Sequence, residues 1–270
     1  MDQYAVVGSP VSHSKSPQIH AMFAEQTRQA MAYSAIESPL DGFEKVVNDF
    51  FGQGGKGLNV TVPFKEQAWR MCQQLSDRAR LAGAVNTLFQ DRDGQLCGDN
   101  TDGYGLVSDL KAQEISLLGK NILIIGAGGA VKGVIQPILN EAPASLTVSN
   151  RTLSKAEEIV ETFKQMGSLK SLAFDGVNKA YDLVINGTSA SLGGQLPAVS
   201  SHIFSSQTVV YDMMYAKGDT VFNAWAKQCG AGVVLDGLGM LVEQAAEAFF
   251  LWRGVRPQTR DVVQFLRAAS

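Results

Sequence analysis

Cysteine and histidine are scarce in this sequence, with three of each among 270 residues. Cys72, Cys97 and Cys229 are far apart and odd in number, so they indicate neither a disulfide framework nor a zinc-ligand spacing. The histidines are too few and too scattered for a metal site, and no metal is expected. A reducing, cytoplasmic setting is the simplest interpretation of this cysteine usage.

An excess of positive charge is also missing, because 23 Lys and Arg residues stand against 26 Asp and Glu residues. With a net charge of -3, the chain has no basic field to attract nucleic acid or an anionic membrane. The longest apolar stretch, residues 237–252, contains Glu243, Gln244 and Glu247, which is not typical of a membrane span. The first residues lack the basic and apolar regions of a secretory signal. These absences favour a small molecule as the partner.

Short apolar runs of strand type alternate with longer segments of helical periodicity, as in α/β folds with parallel sheets. In the first part we expect strands over 4–7, 33–36, 58–62 and 86–89, and helices over 17–27 and 42–51. A hairpin turn is expected at Asp91-Arg92-Asp93-Gly94. In the second part we expect strands over 122–125, 146–149, 182–186, 209–212 and 232–235, and helices over 130–140, 154–164 and 221–228. Residues 187–206 are expected to form a loop, and the chain becomes helical after residue 239.

A glycine-rich turn, Gly126-Ala127-Gly128-Gly129-Ala130, links a predicted buried strand to a predicted helix. Gly126 permits a tight turn, and Gly128 lets the backbone approach a pyrophosphate, which the N–H groups at the helix start then bind. The strict dinucleotide pattern requires a small residue at position 131, where this chain has Val131. Small residues at Gly129, Ala130 and Gly133 offer the close packing instead, so the turn predicts a dinucleotide site.

The next predicted strand ends at Asn150-Arg151-Thr152, where NAD-dependent enzymes carry an acidic residue for the ribose 2′-hydroxyl. Arg151 stands here instead, and its guanidinium matches the 2′-phosphate of NADP, with Asn150 and Thr152 as neutral donors. A surface arginine on a strand–helix loop is the alternative interpretation. The position favours NADP(H) as the cofactor.

Polar clusters also follow the predicted strand ends of the first part, and such ends bind ligands in open α/β sheets. Together with the glycine turn, these segments resemble the shikimate/quinate dehydrogenase family. The segments that carry the resemblance are residues 7–17, 59–66, 83–87, 98–103, 126–130, 150–152 and 237–246. They lie in order across nearly the whole chain.

The resemblance implies two α/β domains. One is a substrate-binding and catalytic domain with a mostly parallel sheet, formed by residues 1–101 with 238–270. The other is a Rossmann-type doubly wound NADP-binding domain, residues 102–237. It also implies reversible, NADPH-dependent reduction of 3-dehydroshikimate to shikimate in aromatic amino acid (chorismate) biosynthesis, by a cytoplasmic monomer or homodimer.

The resemblance further implies roles for individual residues. Lys65 and Asp102 match the catalytic pair, although the sequence does not decide which of them transfers the proton. The residues expected at the substrate are Ser14 and Ser16 for its carboxylate, Asn59, Thr61 and Asn86 for its hydroxyls, and Tyr215 and Gln244. The residues expected at the cofactor, besides the glycine turn and residues 150–152, are Asp77, Asn186, Thr188, Met213 and Gly237.

Three alternatives remain open at this stage. A quinate/shikimate dehydrogenase of the same fold would act on a substrate with an added ring hydroxyl. A methylenetetrahydrofolate dehydrogenase also sets a lysine against a Rossmann domain, but the clusters at Ser14 and Ser16 and at residues 59–65 disfavour it. A non-catalytic protein that senses NADP or shikimate belongs to another class, and the presence of both Lys65 and Asp102 disfavours it.

Overall fold

The computed structural model describes residues 1–188 and 190–269, except for the side chains of residues 191 and 192. The chain forms two compact units, the first comprising Met1–Gly105 with Leu241–Ala268, and the second Leu106–Met240. These boundaries fall a few residues later than the predicted limits at 101/102 and 237/238. A continuous helix begins at each predicted limit, at Asp102 and at Leu238, so the observed boundary falls within that helix. The roles assigned to the two parts remain predictions.

Twelve strands and ten α-helices are found in the described residues. The strands are β1 (Asp2–Gly8), β2 (Met31–Glu37), β3 (Gly57–Val60), β4 (Gln74–Leu75), β5 (Thr87–Gln90), β6 (Leu96–Asp99), β7 (Asn121–Ile125), β8 (Ser145–Ser149), β9 (Leu169–Leu172), β10 (Leu183–Asn186), β11 (Val209–Asp212) and β12 (Val233–Asp236). The helices are α1 (Ser16–Thr27), α2 (Phe43–Gly52), α3 (Lys65–Met71), α4 (Asp77–Ala82), α5 (Asp102–Ala112), α6 (Gly129–Asn140), α7 (Leu153–Phe163), α8 (Val221–Gln228), α9 (Leu238–Arg253) and α10 (Arg260–Ala268). None of these helices has the length and apolar character needed to cross a membrane.

The first unit contains a mixed six-stranded sheet in the order β2-β1-β3-β5-β6-β4. The pairs β1–β2, β1–β3 and β4–β6 are parallel, whereas β5 is antiparallel to both β3 and β6. The predicted hairpin between β5 and β6 is confirmed, with the Asp91 carboxylate accepting the N–H groups of Asp93 and Gln95 at 2.9 Å each. Two reversals make β6 run in the direction of β3. The carboxyl ends of β1, β3 and β6 and the amino end of β5 therefore lie along one edge, which we call the carboxyl edge.

A buried apolar cluster holds α2 and α3 against this sheet. Phe43, Val47 and Phe51 recur every four residues along α2, so they lie on one helix face, and all three are buried. Phe43 stacks on Phe64, with ring centroids 4.7 Å apart. Each fully buried side chain of this size stabilises the fold by about 1.5–3 kcal/mol. This packing fixes Phe64, the residue immediately before Lys65.

The second unit contains a fully parallel sheet in the order β12-β11-β10-β7-β8-β9. Counted from β7, this is the doubly wound order 6-5-4-1-2-3 of dinucleotide-binding folds, and the strand order reverses between β7 and β10. Ligands of such sheets bind at the carboxyl ends of the strands beside this reversal. The predicted α/β class with a Rossmann-type domain is confirmed.

Several elements escaped the sequence pattern for physical reasons. β9 is only half buried, so it lacks a continuous apolar run. The helices α3 and α4 are short, and between them bury only Ala68, Ala79 and Ala82, so neither shows an apolar stripe. The predicted loop over residues 187–206 contains two short 3₁₀ turns, Ala190–Gly193 and Ser201–Ile203.

Candidate active site and cofactor pocket

Lys65 and Asp102 meet at the carboxyl edge of the first sheet. Lys65 begins α3 just beyond β3, and Asp102 begins α5 just beyond β6. The Lys65 Nζ and Asp102 Oδ2 atoms are 2.6 Å apart, and the two side chains are 17% and 7% exposed. Because water is largely excluded, the Coulomb attraction between the two groups is screened less than in a surface salt bridge. The structure thus brings the side-chain nitrogen of Lys65 and the carboxylate of Asp102 into direct contact.

Asn86 connects this pair to a wider amide network. Its Nδ2 atom donates to Asp102 Oδ1 at 2.8 Å and to Thr101 Oγ1 at 2.9 Å, and lies 3.3 Å from Gln244 Oε1. Its Oδ1 atom accepts the Thr101 N–H at 2.9 Å. Asn86 is 2% exposed, so these bonds are shielded from water. Four residues predicted at the substrate, Lys65, Asn86, Asp102 and Gln244, therefore share one hydrogen-bonded cluster.

Asn59 lies next to the cluster, and both the oxygen and the nitrogen of its side-chain amide make hydrogen bonds. Its Oδ1 atom accepts the Tyr33 hydroxyl at 2.7 Å, and its Nδ2 atom donates to the Asn86 carbonyl at 3.1 Å and Thr87 Oγ1 at 3.2 Å. Burial raises the pKa of Tyr33 well above its usual value, so this phenol is a neutral donor. The arrangement favours orientation of Asn86 by Asn59, and the predicted contact of Asn59 with a substrate hydroxyl remains a prediction.

Ser14, Ser16 and Thr61 follow the neighbouring parallel strands β1 and β3. Ser16 begins α1, and the Ser14 hydroxyl accepts the Ser16 N–H at 3.2 Å. The Thr61 methyl group packs over Gly8, where an added Cβ would lie 2.3 Å from Thr61 Cγ2. These residues therefore follow strands that end at the same edge of the sheet as Lys65 and Asp102. Binding of a carboxylate by Ser14 and Ser16 remains a prediction.

The glycine turn of the second unit has the predicted strand–turn–helix setting. Gly126 has a φ of +117°, which L side chains rarely adopt, and α6 begins at Gly129. An added Cβ on Gly128 would meet no atom within 4 Å, so the backbone there is open to a ligand. Val131 fits because Gly187 has no side chain. A Cβ added to Gly187 would lie 2.3 Å from Val131 Cγ2, so the valine occupies the space that a larger residue at position 187 would need. Gly187, at the end of β10, thus supplies the space that the usual small residue provides.

A pocket of about 730 Å³ lies against this turn. Of the residues predicted at the cofactor, those lining it are Gly126, Ala127, Gly128, Asn150, Arg151 and Thr188. The rest of the lining consists of Phe174, Gly187, Ala190, Gly193 and residues 195–198. Arg151 is exposed and makes no hydrogen bond or ion pair with the described part of the chain. A pocket lined by both an open glycine backbone and a guanidinium fits a dinucleotide phosphate.

Other residues predicted at the cofactor lie outside the lining of this pocket. Asn186 is fully buried, donates to Asp212 Oδ1 at 3.0 Å, and accepts the Thr188 N–H at 3.1 Å. Met213 and Gly237 pack together, since an added Cβ on Gly237 would lie 2.2 Å from the Met213 carbonyl oxygen. The others outside it are Gly129, Ala130 and Thr152. Their contacts with the cofactor remain predictions.

Asp77, predicted at the cofactor, lies in the first unit, whereas most residues predicted at the cofactor lie in the second. Tyr215, predicted at the substrate, lies in the second unit, whereas the other residues predicted at the substrate lie in the first. Asp77 begins α4 in the first unit, where its carboxylate is 87% exposed and pairs with Arg80 at 2.6 Å. Tyr215 follows β11 in the second unit, and burial raises its pKa. Both assignments remain predictions. Among the described residues, no three His, Cys, Asp or Glu side chains gather where they could hold a metal ion.

Sequence reasoning missed a buried ionic network next to the cluster. Arg78 bridges Asp99, at the end of β6, and Glu247, on α9. The available signal was Glu247 within the apolar stretch 237–252, because a charge inside such a run needs a partner if it is buried. The partner lies 169 residues away in sequence, so no local pattern identifies it.

Family models match the chain in three consecutive segments. The shikimate dehydrogenase substrate binding domain matches residues 6–88, the shikimate / quinate 5-dehydrogenase model matches residues 109–193, and the shikimate 5'-dehydrogenase C-terminal domain matches residues 237–264. Together these segments cover well over half of the chain.

Individual relatives agree with the family models. A protein of Hahella chejuensis named shikimate dehydrogenase (NADP(+)) is 59% identical over 268 residues, covering 99% of each chain. One of the same name from Vibrio cholerae is 57% identical over 267 residues, covering 99% of this chain and 96% of its own. The crystal structure of shikimate 5-dehydrogenase from Thermus thermophilus, in complex with NADP(H) and shikimate, is 32% identical with a TM-score of 0.88, and 100% of each chain is covered. This chain therefore belongs to the shikimate dehydrogenase family.

Proposed function

We propose that this chain catalyses the reversible reduction of 3-dehydroshikimate to shikimate with NADPH, the step that serves aromatic amino acid biosynthesis. The observation that carries the proposal is the Lys65–Asp102 pair, largely buried and set in a network of amides at the carboxyl edge. Reduction of a ketone requires a proton as well as a hydride, so such an enzyme needs a positioned proton donor.

The second unit supports the choice of cofactor. The open backbone at Gly128 suits a pyrophosphate, and Arg151 has its guanidinium available for a 2′-phosphate. When bound, NADPH supplies the hydride for the C3 carbonyl, and NADP⁺ accepts it in the reverse direction. The residues of the first unit then handle the oxygen at C3.

Lys65 is the group we assign to proton transfer. An ammonium carries transferable protons, whereas an ionised carboxylate only accepts hydrogen bonds. In reduction, Lys65 Nζ gives its proton to the oxygen at C3 as the alkoxide forms, and in oxidation the neutral amine takes that proton back. Asp102 holds Nζ in place through Oδ2, while Asn86 occupies Oδ1. The carboxylate is thereby oriented before the substrate arrives.

The remaining polar groups of the edge are assigned to substrate binding. Ser14 and Ser16, beside the start of α1, take the substrate carboxylate, because hydroxyl and helix N-terminal N–H groups are donors for an anion. Thr61, Asn86 and Gln244 take ring hydroxyls. We place the enzyme in the cytoplasm as a monomer or homodimer, and analytical ultracentrifugation of the purified chain measures the oligomeric state.

The alternative substrate is quinate, because one matching family model covers shikimate and quinate dehydrogenases together. The decisive experiment incubates the purified full chain with shikimate and NADP⁺ and follows the absorbance of the reduced nicotinamide. Quinate and NAD⁺ are tested in parallel. The proposal predicts turnover with shikimate and NADP⁺ at a kcat/KM well above the other combinations. Absence of reduced cofactor with either acid would overturn it, and binding of shikimate without turnover would favour a sensor.

A further inference from the structure

A buried ionic network next to the active-site cluster joins three elements of the first unit. Arg78, on α4, donates from Nε to Asp99 Oδ1 at 2.6 Å and from Nη2 to Asp99 Oδ2 at 2.8 Å. The same Nη2 atom donates to Glu247 Oε1 at 2.9 Å. Asp99 and Glu247 are 6% and 7% exposed. Two nearly buried carboxylates are therefore held by one guanidinium.

The Asp99 side of the network leads to Asp102. Asp99 Oδ1 also accepts the Ser76 hydroxyl at 2.5 Å and the Asn100 N–H at 2.7 Å. The Asn100 side chain continues the chain of contacts, since its Oδ1 atom accepts the Asp102 N–H at 3.1 Å and its Nδ2 atom donates to the Ala84 carbonyl at 3.0 Å. The backbone that delivers Asp102 to Lys65 is thus fixed by side-chain bonds that start at Asp99.

The Glu247 side of the network leads to Gln244. The two residues are three apart on α9, so they lie on the same helix face, one turn from each other. Gln244 Oε1 lies 3.3 Å from Asn86 Nδ2 and 3.4 Å from Thr101 Oγ1. Glu247 Oε2 is held in addition by Arg256 at 2.6 Å. The position of Glu247 therefore sets where α9 presents Gln244 to the cluster.

We propose that Arg78 is a positioning residue for the reaction, which fixes the Asp102 turn and the Gln244 helix in register with one another. This inference rests on the proposed function, because it takes Asp102 and Gln244 as active-site groups. Arg78 acts only through Asp99 and Glu247. A planar guanidinium can bind one carboxylate with two parallel bonds and a second carboxylate with a further N–H, whereas a lysine ammonium is a single point charge.

The two arms of the network are expected to give different kinetic effects. Glu247→Gln keeps the shape of the side chain but weakens the hold on α9. The loss of about one hydrogen bond from Gln244 to the substrate should raise the KM for shikimate on the order of 10-fold, with a smaller change in kcat. Asp99→Asn loosens the turn that carries Asp102, so kcat is expected to fall on the order of 10–100-fold. Arg78→Lys should show both effects, whereas the KM for NADP should stay within about twofold, because Arg78 does not line the cofactor pocket.

The control is Arg92→Lys, in the hairpin turn between β5 and β6. Arg92 is exposed and makes no hydrogen bond or ion pair with the described residues, so the substitution makes the same Arg→Lys change away from the network. Its kcat and its KM for shikimate should equal those of the wild-type protein. All rates are normalised to the folded fraction from circular dichroism, because breaking a buried ion pair also destabilises the fold.

The result that would overturn the inference is wild-type kcat and KM per folded molecule in Arg78→Lys and Glu247→Gln, with only the melting temperature lowered. Such a result would make the network purely structural. If Arg78→Lys does not fold, Glu247→Gln decides alone, because in that variant Arg78 keeps its two bonds to Asp99 and Arg256 is 40% exposed to solvent. Failure of the proposed function is recognised separately, since the wild-type protein itself would then not oxidise shikimate.

Discussion

Replacing Arg151 with serine is expected to raise the KM for NADP while leaving the KM for NAD and kcat nearly unchanged. Arg151 lines the pocket at the glycine turn and makes no hydrogen bond or ion pair with the described residues. Its guanidinium has no competing carboxylate to leave when a phosphate arrives. The substitution therefore removes an interaction with the 2′-phosphate and breaks none within the described part of the protein.

The size of the effect follows from the number and exposure of the lost bonds. A hydrogen bond to a charged group contributes about 1.5–3 kcal/mol. Arg151 is exposed, so solvent screening favours the lower figure, and its planar fork offers two bonds to a phosphate. One or two such bonds amount to roughly 1.5–3 kcal/mol in total, which corresponds to a rise in KM of roughly 10- to 150-fold.

The assay measures steady-state oxidation of shikimate with NADP⁺ and with NAD⁺ at two ionic strengths. The wild-type preference for NADP should shrink as salt rises, because the attraction is electrostatic. The matched control is Lys120→Ser, an exposed cation just before β7, at the opposite end of that strand from the glycine turn and outside the lining of the pocket. An NADP KM that changes equally in both variants, or in neither, would refute the assignment of Arg151.

Further substitutions test other parts of the account. Lys65→Ala should lower kcat on the order of 10²–10⁴-fold, the usual contribution of a proton-transfer group, and a loss confined to the KM for shikimate would make Lys65 a binding residue. Burial lowers the pKa of His20 to about 3. Between pH 3 and 6.5 this histidine is therefore protonated in the unfolded chain but neutral in the folded chain, so the free energy of unfolding falls as the pH drops through that range. The free energy of unfolding measured in urea should fall by about 2 kcal/mol from pH 7 to pH 5, and His20→Phe should abolish this fall. An equal fall in that variant would show that His20 is not its source. Gly187→Ala places a methyl group 2.3 Å from Val131 Cγ2, so we expect a destabilisation of about 1–3 kcal/mol that Val131→Ala relieves, and an unchanged melting temperature in Gly187→Ala would refute this packing.

The elements that the sequence predicted share one physical property, which is a strong local signal. The strand and helix around the glycine turn were predictable because four consecutive buried aliphatic residues, 122–125, precede glycines and a helical stripe. The assignment of Arg151, which remains a prediction, rests on equally local information, since the ribose contact lies at a fixed place after the next strand of this fold. In both cases the information is contained within about thirty residues, roughly the length of one βαβ unit.

The contacts of the active-site cluster depend on topology that no local pattern encodes. Lys65 and Asp102 are 37 residues apart, and they meet because the hairpin reverses the chain twice and makes β6 run in the direction of β3. The hairpin turn was expected from Asp91–Gly94, but β6 and its place in the sheet were not. The family resemblance supplied the pairing of the two residues, whereas the Asn86 bridge and the Arg78 network emerged only from the packed structure.

Accommodation of Val131 shows a second limit of sequence patterns. The strict dinucleotide pattern asks for a small residue at this position, and the chain satisfies the same spatial requirement from the other side, at Gly187. The two positions are distant in sequence and adjacent in space. A pattern read along one segment cannot register such an exchange, because the requirement concerns the distance between a helix and a strand.

The most direct test of the central claim follows the hydrogen on C3. Shikimate carrying deuterium at C3 is oxidised with NADP⁺ by the purified chain, and the reduced cofactor is examined by mass spectrometry. The account predicts that the cofactor gains the deuterium, while the hydroxyl proton is released to solvent by way of Lys65. Unlabelled NADPH, or no reduced cofactor at all, would contradict it.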